Sequence, residues 1–342
     1  MEKLLCDLCN TDGVSGFEGE ILEKIAELVL LYADKVYFDR LGNLICEKHG
    51  RNTPKKKILY TAHADEVGMV IKHIAENGTL LFDSIGIMPG VLPTRRVRIG
   101  KNKIAGVIGI KPIHLLPKSE KGNVVSESEL YIDIGAQNRA DAEQYVHVGD
   151  FVAFANKSEY LSENKLCAKA LDDRIGCAVL IELIKSELEY DSFFAFTRRE
   201  ELGTLGAVQV ANDIKPDITI VCESTTSLDI YGTPDMKKVT KLSEGVVVPF
   251  MDGGTLYAGK LYDMAFEVAR ENNIKIQTKT VVAGGTDART FRGEGHGSAV
   301  LGIALPCRYI HSSACVCDRA DVQAMKKLVF ALEKKLGGTG NA

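Results

Sequence analysis

The chain has 342 residues, of which 45% are hydrophobic and 26% are charged, as in an ordinary globular protein of one or two domains. Its net charge of −4 argues against a nucleic acid or an anionic membrane as a partner. No apolar run approaches the roughly 18 residues that span a bilayer, and the first residues do not resemble a signal peptide. We therefore expect a cytoplasmic protein.

The first part of the chain is predicted to hold a helix, a hairpin and a buried strand. Ser15 and Glu18 match the Ser-x-x-Glu pattern of a capping box, and apolar residues then recur at helical spacing as far as Tyr32. Residues 36–39 and 44–46 flank a turn and indicate a β-hairpin. The apolar run 57–62 indicates a buried strand that ends at His63.

The pattern changes near Gly68 and stays changed to about Asn156. Short alternating segments are separated here by Gly and Pro turns, and no convincing long helix interrupts them. The predicted strands are residues 69–74, 80–82, 96–99, 105–110, 130–133 and 151–154. This pattern predicts a small all-β barrel or sandwich, which we place at residues 68–159.

Helices and strands alternate again after Lys165. The predicted helices are residues 174–186, 202–212, 261–272 and 319–336, and the predicted strands are 193–197, 217–221, 275–281 and 298–303. Such alternation predicts an α/β domain with a mixed sheet flanked by helices. The simplest architecture is one α/β domain, formed by residues 1–67 and 160–342, with the β unit inserted. The tail 337–342 is expected to fray.

The chain has nine cysteines, which are scattered along it. In a chain without a signal peptide they are expected to be reduced thiols. Two spacings, Cys6-x-x-Cys9 and Cys315-x-Cys317, resemble metal-binding pairs. A structural zinc needs two such pairs with suitable partners, so packing cysteines are the favoured interpretation.

Five short segments carry the residues best suited to chemistry, and each follows a predicted strand or begins a helix. They are His63-Ala64-Asp65-Glu66, Ala170-Leu171-Asp172-Asp173-Arg174, Glu200-Glu201, Cys222-Glu223-Ser224 and Arg308-Tyr309-Ile310-His311-Ser312. Sites in open α/β sheets form outside the carboxyl ends of the strands. We therefore expect these segments to converge in one crevice.

These residue types match a hydrolytic centre with two divalent metal ions. Such a centre needs carboxylates and imidazoles around both ions, and a further carboxylate that takes a proton from the attacking water. The candidate ligands are His63, Asp172, Glu201, Glu223 and His311, and Glu200 is the remaining carboxylate. Asp65, two residues beyond His63 on a strand, is expected to fix the tautomer of that imidazole.

Each segment alone also has an ordinary structural explanation. A pair such as Glu200-Glu201 is most often solvated surface. Asp172 and Asp173 fit the capping charges of the helix that follows them, and Glu223 fits a helix start. The joint occurrence of the segments at strand ends favours the metal centre over these separate explanations.

At this point the sequence resembles the M42 glutamyl and leucyl aminopeptidases, a family of metallopeptidases with two co-catalytic metal ions. The resemblance covers nearly the whole chain, and residues 110–116 resemble a segment of the family's inserted barrel. The motifs that carry it are Gly13-Val14-Ser15-Gly16-Phe17-Glu18, His63-Ala64-Asp65-Glu66-Val67-Gly68, Lys169-Ala170-Leu171-Asp172-Asp173-Arg174-Ile175-Gly176, Thr197-x-x-Glu200-Glu201-Leu202-Gly203, Gly284-Gly285-Thr286-Asp287-Ala288 and Tyr309-Ile310-His311-Ser312.

The resemblance implies a zinc-aminopeptidase-like catalytic domain that binds two divalent metal ions per subunit. It implies that one ion is held by His63, Asp172 and Glu223, and that the other is held by Asp172, Glu201 and His311. Zn is the default occupant, and Co or Mn also suits a site of mixed nitrogen and oxygen ligands.

The resemblance also implies catalytic roles and a substrate class. Glu200 is the general base and Asp65 the catalytic orienter, while Gly284, Gly285 and Asp287 line the pocket for the substrate side chain. The implied substrates are short peptides, which lose their N-terminal residues. Members of the family form large homo-oligomers, often dodecamers, so an oligomer is expected here.

The chain departs from the family pattern in two places. Many members carry Asp where this chain has Glu223, and we expect the longer carboxylate to remain a ligand. The loop 229–233 lacks the Pro-Gly pair expected after that strand. This departure concerns the local loop and, through it, the substrate preference.

Two alternatives to an aminopeptidase remain open at this stage. One is a related metallohydrolase, such as an acyl-amino-acid deacylase or an enzyme labelled as an endoglucanase. The absence of Trp and the metal-type ligand set argue against glycosidase chemistry, which normally needs two carboxylates. The other alternative is a non-catalytic relative, although every expected catalytic residue is present.

Overall fold

The computed structural model describes residues 1–115, 117, 122–282 and 284–338. Within these residues the helices, in chain order, are α1 (Glu2–Cys9), α2 (Gly19–Val29), α3 (Arg139–Ala142), α4 (Leu171–Ile184), α5 (Leu205–Ile214), α6 (Gly259–Glu271), α7 (Ala288–Gly293) and α8 (Arg319–Leu336). The end of the expected frayed tail, from residue 339, and residue 116 of the barrel segment that resembles the family lie outside the described residues.

The strands are short, and several end at the residues singled out above. Within the described residues they are β1 (Lys35–Phe38), β2 (Leu44–Lys48), β3 (Ile58–His63), β4 (Gly68–Ile74), β5 (Leu80–Ile85), β6 (Arg96–Ile99), β7 (Ile104–Ile110), β8 (Leu130–Asp133), β9 (Phe151–Phe154), β10 (Glu159–Ser162), β11 (Lys165–Ala168), β12 (Ser192–Thr197), β13 (Ile218–Thr226), β14 (Val246–Val247), β15 (Ile276–Gln277), β16 (Ala299–Cys307) and β17 (Cys315–Asp318).

A mixed eight-stranded sheet forms the centre of the molecule, in the order β1-β2-β12-β3-β13-β16-β14-β15. Its four middle strands, β12, β3, β13 and β16, run parallel to one another. Their register places Thr197 beside His63, so the carboxyl ends of β12 and β3 coincide. Helices cover both faces, with α1, α2, α4, α6 and α8 on one side and α5 and α7 on the other. This arrangement confirms the predicted mixed α/β sheet flanked by helices.

The barrel is closed and has its own core. Its six strands follow the order β4-β5-β8-β7-β6-β9, and all pairings that the structure records between them are antiparallel. Side chains such as Met69, Phe82 and Phe154 are buried inside it. The predicted all-β insertion is therefore a barrel. The boundaries at residues 67 and 160, which would make it a separate domain, stay a prediction.

Several local predictions differ from the structure. The strand predicted at 217–221 continues to Thr226, so Glu223 lies within β13 and does not begin a helix. The strand predicted at 275–281 is reduced to Ile276–Gln277. The helix predicted at 202–212 begins at Leu205, because residues before it form the turn that carries Glu200. A small sheet of β10, β11 and β17 was not predicted from the sequence.

The predicted capping box at Ser15 is also absent. Helix α2 begins at Gly19, and its N-cap, Glu18, makes no side-chain cap. The Glu18 carboxylate instead accepts hydrogen bonds from the Arg198 side chain at 2.7 Å and the Arg199 backbone N–H at 3.2 Å. This buried acid therefore supports the turn after β12 rather than the helix that follows it.

A buried charge network joins the barrel to the α/β part. Lys169 donates to Glu66 at 2.5 Å and lies 3.0 Å from Asp12. Asp12 also pairs with Arg98, a residue of β6, at 2.5 Å. The Arg174 guanidinium lies 3.6 Å from Glu66 and donates to the backbone carbonyl oxygens of Leu8, near the end of α1, and of Thr11. These contacts link the segment 63–66 to the segment 170–174, two of those predicted to bind metal, and to Lys169 just before the second one.

The nine cysteines all lie within the described residues and are free thiols, buried except for the half-buried Cys6. The described groups of side chains that are close enough to hold a metal ion contain His, Asp and Glu only. In the described part of the chain, no helix has both the length and the apolar character needed to cross a membrane.

Candidate metal centre and active site

Five side chains predicted as metal ligands converge at the carboxyl edge of the central sheet. His63 is the last residue of β3, and Glu223 lies near the end of β13. Asp172 lies at the start of α4, Glu201 in the turn after β12, and His311 in the loop between β16 and β17. Parallel strands end at one edge, so residues far apart in sequence meet there.

The five side chains form two groups that share Asp172. In the first group, His63 Nε2 lies 3.4 Å from Asp172 Oδ1 and 3.7 Å from Glu223 Oε2. In the second, His311 Nε2 lies 3.3 Å from Asp172 Oδ2 and 3.4 Å from Glu201 Oε1. The donor atoms of each group lie within 4.8 Å of one another. The two oxygens of Asp172 thus face different groups, as a bridging carboxylate requires.

The donor set fits a pair of divalent cations. Asp172 Oδ1 and Glu201 Oε1 are buried and accept no hydrogen bond within the protein. Buried carboxylate oxygens without partners are costly, and a bound cation compensates that cost. Imidazole and carboxylate together suit Zn, Co or Mn.

The pKa values of the ligand side chains show that the acids of the two groups would be stabilised by added positive charge. Burial alone would lower the pKa of His63, but Glu223, Asp172 and Asp65 raise it well above its ordinary value. Burial raises the pKa of Glu223 well above its usual range and that of Glu201 to about 7, and Asp172 adds to both shifts. Without cations, these side chains retain protons that metal ions would displace.

His311 is the most exposed of the five, with 40% of its side chain accessible. The hydrogen bond with Asp172 outweighs burial and raises the pKa of His311 to about 9, and the backbone of Gly86 contributes to the shift. Gly86 belongs to the turn after β5, so the barrel reaches the site. A Cβ there would lie 3.0 Å from Glu201 Oε2, and φ is +70°, so this position suits glycine.

Asp65 is fully buried and holds three parts of the site together. Its Oδ1 accepts from the Glu200 backbone N–H and its Oδ2 from that of Glu201, both at 3.1 Å. His63 Nδ1 lies 3.4 Å from Oδ1. Burial would raise the pKa of Asp65, but His63 and the backbone donors lower it. The carboxylate therefore stays ionised and fixes both the imidazole and the turn that carries the two glutamates.

Glu200 lies beside the two groups and belongs to neither. Its side chain lines the cavity in front of them. Burial raises the pKa of Glu200 to about 9, and nearby carboxylates, with Asp287 first among them, act in the same direction. At neutral pH such a group holds a proton, and cations at the ligand groups would lower its pKa and free it to accept one.

The backbone around these residues adopts conformations that non-glycine residues rarely take. Positive φ angles occur at Ala170, Arg199, Tyr309 and His311. The Asp172–Asp173 peptide bond is cis. Positive φ angles at non-glycine residues are common where side chains must be aimed at a functional centre, and each of the four residues with such an angle lies within two positions of a candidate ligand or of Glu200.

A cavity of about 790 Å³ opens in front of the ligand groups. Gly284 and Gly285 line it, and their contact with a substrate stays a prediction. Asp287 lies elsewhere: it is buried at the start of α7, outside the described lining of the cavity, and accepts a hydrogen bond from Thr197 Oγ1 at 2.6 Å. Its fully buried position raises its pKa to about 6. This geometry indicates that Asp287 supports the end of β12 rather than contacts the substrate.

Other lining residues were not identified from the sequence. Part of the wall comes from the loop after β13, from residues around β14 and from the segment after β15, among them Leu228, Lys237, Val247, Asp252 and Lys279. They lack a recognisable spacing, because a cavity wall is formed by tertiary contacts. The weak strand pattern near residues 275–281 was the one sequence pattern that fell on this part of the wall.

The shared aspartate, the two ligand groups and the adjacent glutamate define the site of a candidate metallohydrolase. The profile of the family described as M42 glutamyl aminopeptidase matches residues 42–328. A lysyl aminopeptidase of Pyrococcus furiosus is 31% identical, over 98% of this chain and 97% of its own length.

Solved structures of aminopeptidases also match this chain over nearly its whole length. A TET aminopeptidase from the marine sediment archaeon Thaumarchaeota archaeon SCGC AB-539-E09 superposes with a TM-score of 0.93, at 31% identity, and covers 98% of this chain and 96% of that one. The TET1 peptidase of Pyrococcus horikoshii, described as assembling into a tetrahedron or a large octahedral shell, has a TM-score of 0.87 at 32% identity, with 98% and 99% covered.

The chain belongs to the M42 aminopeptidase family and is a hydrolase that acts on peptide bonds. This confirms the resemblance and the enzymatic function predicted from the sequence. Family membership also implies divalent metal ions. The deacylase, endoglucanase and non-catalytic alternatives are not favoured.

Proposed function

We propose that the protein removes N-terminal residues from short peptides with the help of two divalent metal ions. His63, Asp172 and Glu223 would hold one ion, and Asp172, Glu201 and His311 the other. Zn is the first choice, and Co or Mn also suits these ligands. The observation that carries the proposal is the division of the two Asp172 oxygens between the groups, with Glu200 left over beside them.

When bound, the metal ions would polarise the scissile carbonyl and lower the pKa of a water. Glu200 is placed to take a proton from that water and to deliver it to the leaving amine. Asp65 holds Glu200 and Glu201 through their backbone N–H groups, and His63 through its ring. The protein's own contribution is therefore to fix the base relative to the ligands and to carry the proton.

The substrate's α-amino group would lie near the carboxylates, and its first side chain would occupy the cavity. An ammonium group is attracted to a cluster of acids, which favours attack on the first peptide bond of a chain. The cavity is too small for a folded protein and suits a short peptide. Cytoplasmic location stays a prediction.

We expect Glu200→Gln to bind metal normally but to lose at least about a hundredfold in kcat, because the amide cannot accept the proton. Hydrolysis of aminoacyl-anilides and metal content by elemental analysis would be measured together. Glu143→Gln, an exposed change in the barrel, is the matched control. Full activity of Glu200→Gln would overturn the proposed base. Activity that persists after complete chelation would overturn the metal ions.

We also propose that the protein forms a homo-oligomer, up to a dodecamer. Support comes from the TET1 peptidase of Pyrococcus horikoshii, which is described as assembling into a tetrahedron or a large octahedral shell. Light scattering at micromolar concentration would give a mass several times the 37.3 kDa of one chain. A particle of monomer mass would contradict this part of the proposal.

A further inference from the structure

We propose that Glu18 is a positioning residue for Glu200, and that its buried carboxylate holds the turn from which the proposed general base extends. This inference rests on the proposed aminopeptidase function and adds a residue on which the rate of its chemical step depends. Glu18 ends the segment 13–18, which resembles the opening motif of the family. That segment supplies no member of the described ligand groups and no residue of the described cavity lining, so its effect on the reaction passes through other residues.

Four consecutive backbone N–H groups in this turn donate to side-chain oxygens that come from three other segments. The Arg198 N–H donates to Asn43 Oδ1 at 2.9 Å. The Arg199 N–H donates to Glu18 Oε1 at 3.2 Å. The next two N–H groups donate to the two oxygens of Asp65, both at 3.1 Å. The turn follows the last residue of β12, so these side chains replace the backbone acceptors that a neighbouring strand would provide.

The Glu18 carboxylate is fully buried, and both of its oxygens are engaged. Its Oε1 also accepts from the Gly16 N–H at 2.6 Å. Its Oε2 accepts from Arg198 Nε at 2.7 Å and lies 2.5 Å from a second nitrogen of the same guanidinium. Hydrogen bonds between charged groups are stronger than those between neutral groups. Glu18 therefore holds the turn through a side chain and through the backbone at the same time.

The contact with Arg199 leads most directly to Glu200. Arg199 has φ +57°, in the left-handed region that a residue with a Cβ adopts when its surroundings hold it there. The next peptide group carries the Glu200 N–H, so the conformation of Arg199 sets the direction in which Glu200 leaves the turn. On the other side, the Glu200 carbonyl oxygen accepts from the Gly203 and Thr204 N–H groups at 2.8 and 2.9 Å. The backbone of Glu200 is thus fixed from both sides.

The segment that carries Glu18 is itself attached to the chain just beyond β3. The backbone of residues 13–15 pairs with Glu66 in a parallel bridge, through two hydrogen bonds of 3.0 Å. Glu66 lies three residues beyond His63, the candidate ligand at the end of β3. Glu18 and Asp65 therefore reach the turn from two paired segments, which hold the base in place relative to a candidate ligand.

Glu200 depends on this support more than Glu201 does. With cations bound, Glu201 would also be held as a ligand, together with His311 and Asp172, whereas Glu200 belongs to neither ligand group. A misplacement of about 1 Å in a catalytic group can cost about a hundredfold in rate. Loss of the Glu18 carboxylate should therefore lower kcat and leave the metal content intact.

The test uses the full-length, metal-loaded enzyme and the aminoacyl-p-nitroanilide that the unmodified enzyme hydrolyses fastest. Glu18→Gln keeps the shape of the side chain, but it removes the charge that binds Arg198 and replaces one acceptor with a donor. We expect kcat to fall about ten- to a hundredfold and KM to change less than about threefold, with unchanged metal content by elemental analysis. Glu20→Gln, the same change at an exposed residue two positions further on, is the matched control.

A double-mutant cycle with Glu200→Gln separates positioning of the base from a general structural effect. Because Glu18 acts through the Glu200 carboxylate, Glu18→Gln should lower the residual kcat of Glu200→Gln by less than about threefold. An equal loss in both backgrounds, an unchanged kcat in Glu18→Gln, or loss of metal from folded Glu18→Gln would overturn this inference and leave the aminopeptidase intact.

Hydrogen exchange of the unmodified enzyme gives a measurement that does not depend on the folding of a variant. The amides of residues 198–201 should exchange slowly although they lie in a turn, because their acceptors Asn43, Glu18 and Asp65 are buried. Rapid exchange of these amides would overturn the inference. Hydrolysis of none of the anilides by the unmodified enzyme with Zn, Co or Mn would instead overturn the proposed aminopeptidase function, whatever the exchange in the turn.

Discussion

At the scale of single residues, two adjacent acids face different parts of the site. Glu200 and Glu201 follow each other in one turn, and both backbone N–H groups bind the same carboxylate, that of Asp65. Glu201 then faces His311 and Asp172, while Glu200 faces the cavity. A single buried acid therefore sets the directions of two others.

Asp65→Asn tests this arrangement. The amide replaces one acceptor with a donor that faces a backbone N–H, and it no longer holds the His63 ring as a carboxylate does. We expect kcat to fall about ten- to a hundredfold, with weaker metal binding. Kinetics and metal titration would be compared with Asp83→Asn, in which an exposed acid on β5 is changed. Unchanged kcat and metal affinity in Asp65→Asn would contradict the role given to Asp65.

At the scale of elements, one ion pair connects the loops after β13 and β16. Arg308 donates to both oxygens of Asp229 at 2.8 Å, and Asp229 also accepts from Ser227 and from the Leu242 backbone. Asp229 follows a residue of the cavity wall, and Arg308 is the first residue of the loop that carries His311. The pair therefore couples the cavity wall to a candidate ligand.

The pair has a pH dependence with a definite sign. Burial would raise the pKa of Asp229, but Arg308 and the other donors lower it to about 2. Since the folded-state pKa lies below the unfolded value, its contribution to stability is present above about pH 4 and is lost as the pH falls towards 2. Solvent screening limits the contribution to about 1 kcal/mol. In urea unfolding, Asp229→Asn should be less stable than the parent at pH 7, and the difference should shrink at pH 3. An equal difference at both pH values would contradict this assignment.

The elements also show what the sequence could predict. Strong periodicity located the helix that begins near Arg174 and the closing helix α8, and alternation with glycine turns located the barrel strands. The two-residue strands β14 and β15 have too little pattern of their own, since their pairing depends on neighbours in the sheet. Residues at strand ends were predictable as candidate ligands, whereas the lysines of the cavity wall depend on tertiary packing.

At the scale of the whole molecule, the barrel and the sheet are joined by buried charges. Lys169 is 1% exposed and contacts Glu66 and Asp12, and Asp12 in turn pairs with Arg98 of the barrel. Gly86, also in the barrel part, approaches Glu201. The barrel is therefore a part of the active-site structure as well as an appended unit.

Lys169→Met should be strongly destabilising, by about 3–5 kcal/mol, because it removes the buried cation that Glu66 and Asp12 share. Lys72→Met is the matched control: it removes an exposed lysine that pairs with Asp83, and should cost at most about 1 kcal/mol. Urea unfolding at neutral pH measures both. Similar stabilities for the two variants would show that the buried network does not hold the two parts together.

The position of β3 in the sheet has a consequence for synthesis of the chain. This fully buried strand lies between β12 and β13, and both of these come after the barrel in sequence. While the ribosome makes residues 64–191, β3 has neither neighbour, although the barrel, with its own core, can already close. An apolar strand that lacks its neighbours for this long can pair with another strand or another chain. The nascent chain should therefore depend most on chaperones in the interval between completion of the barrel and emergence of β13.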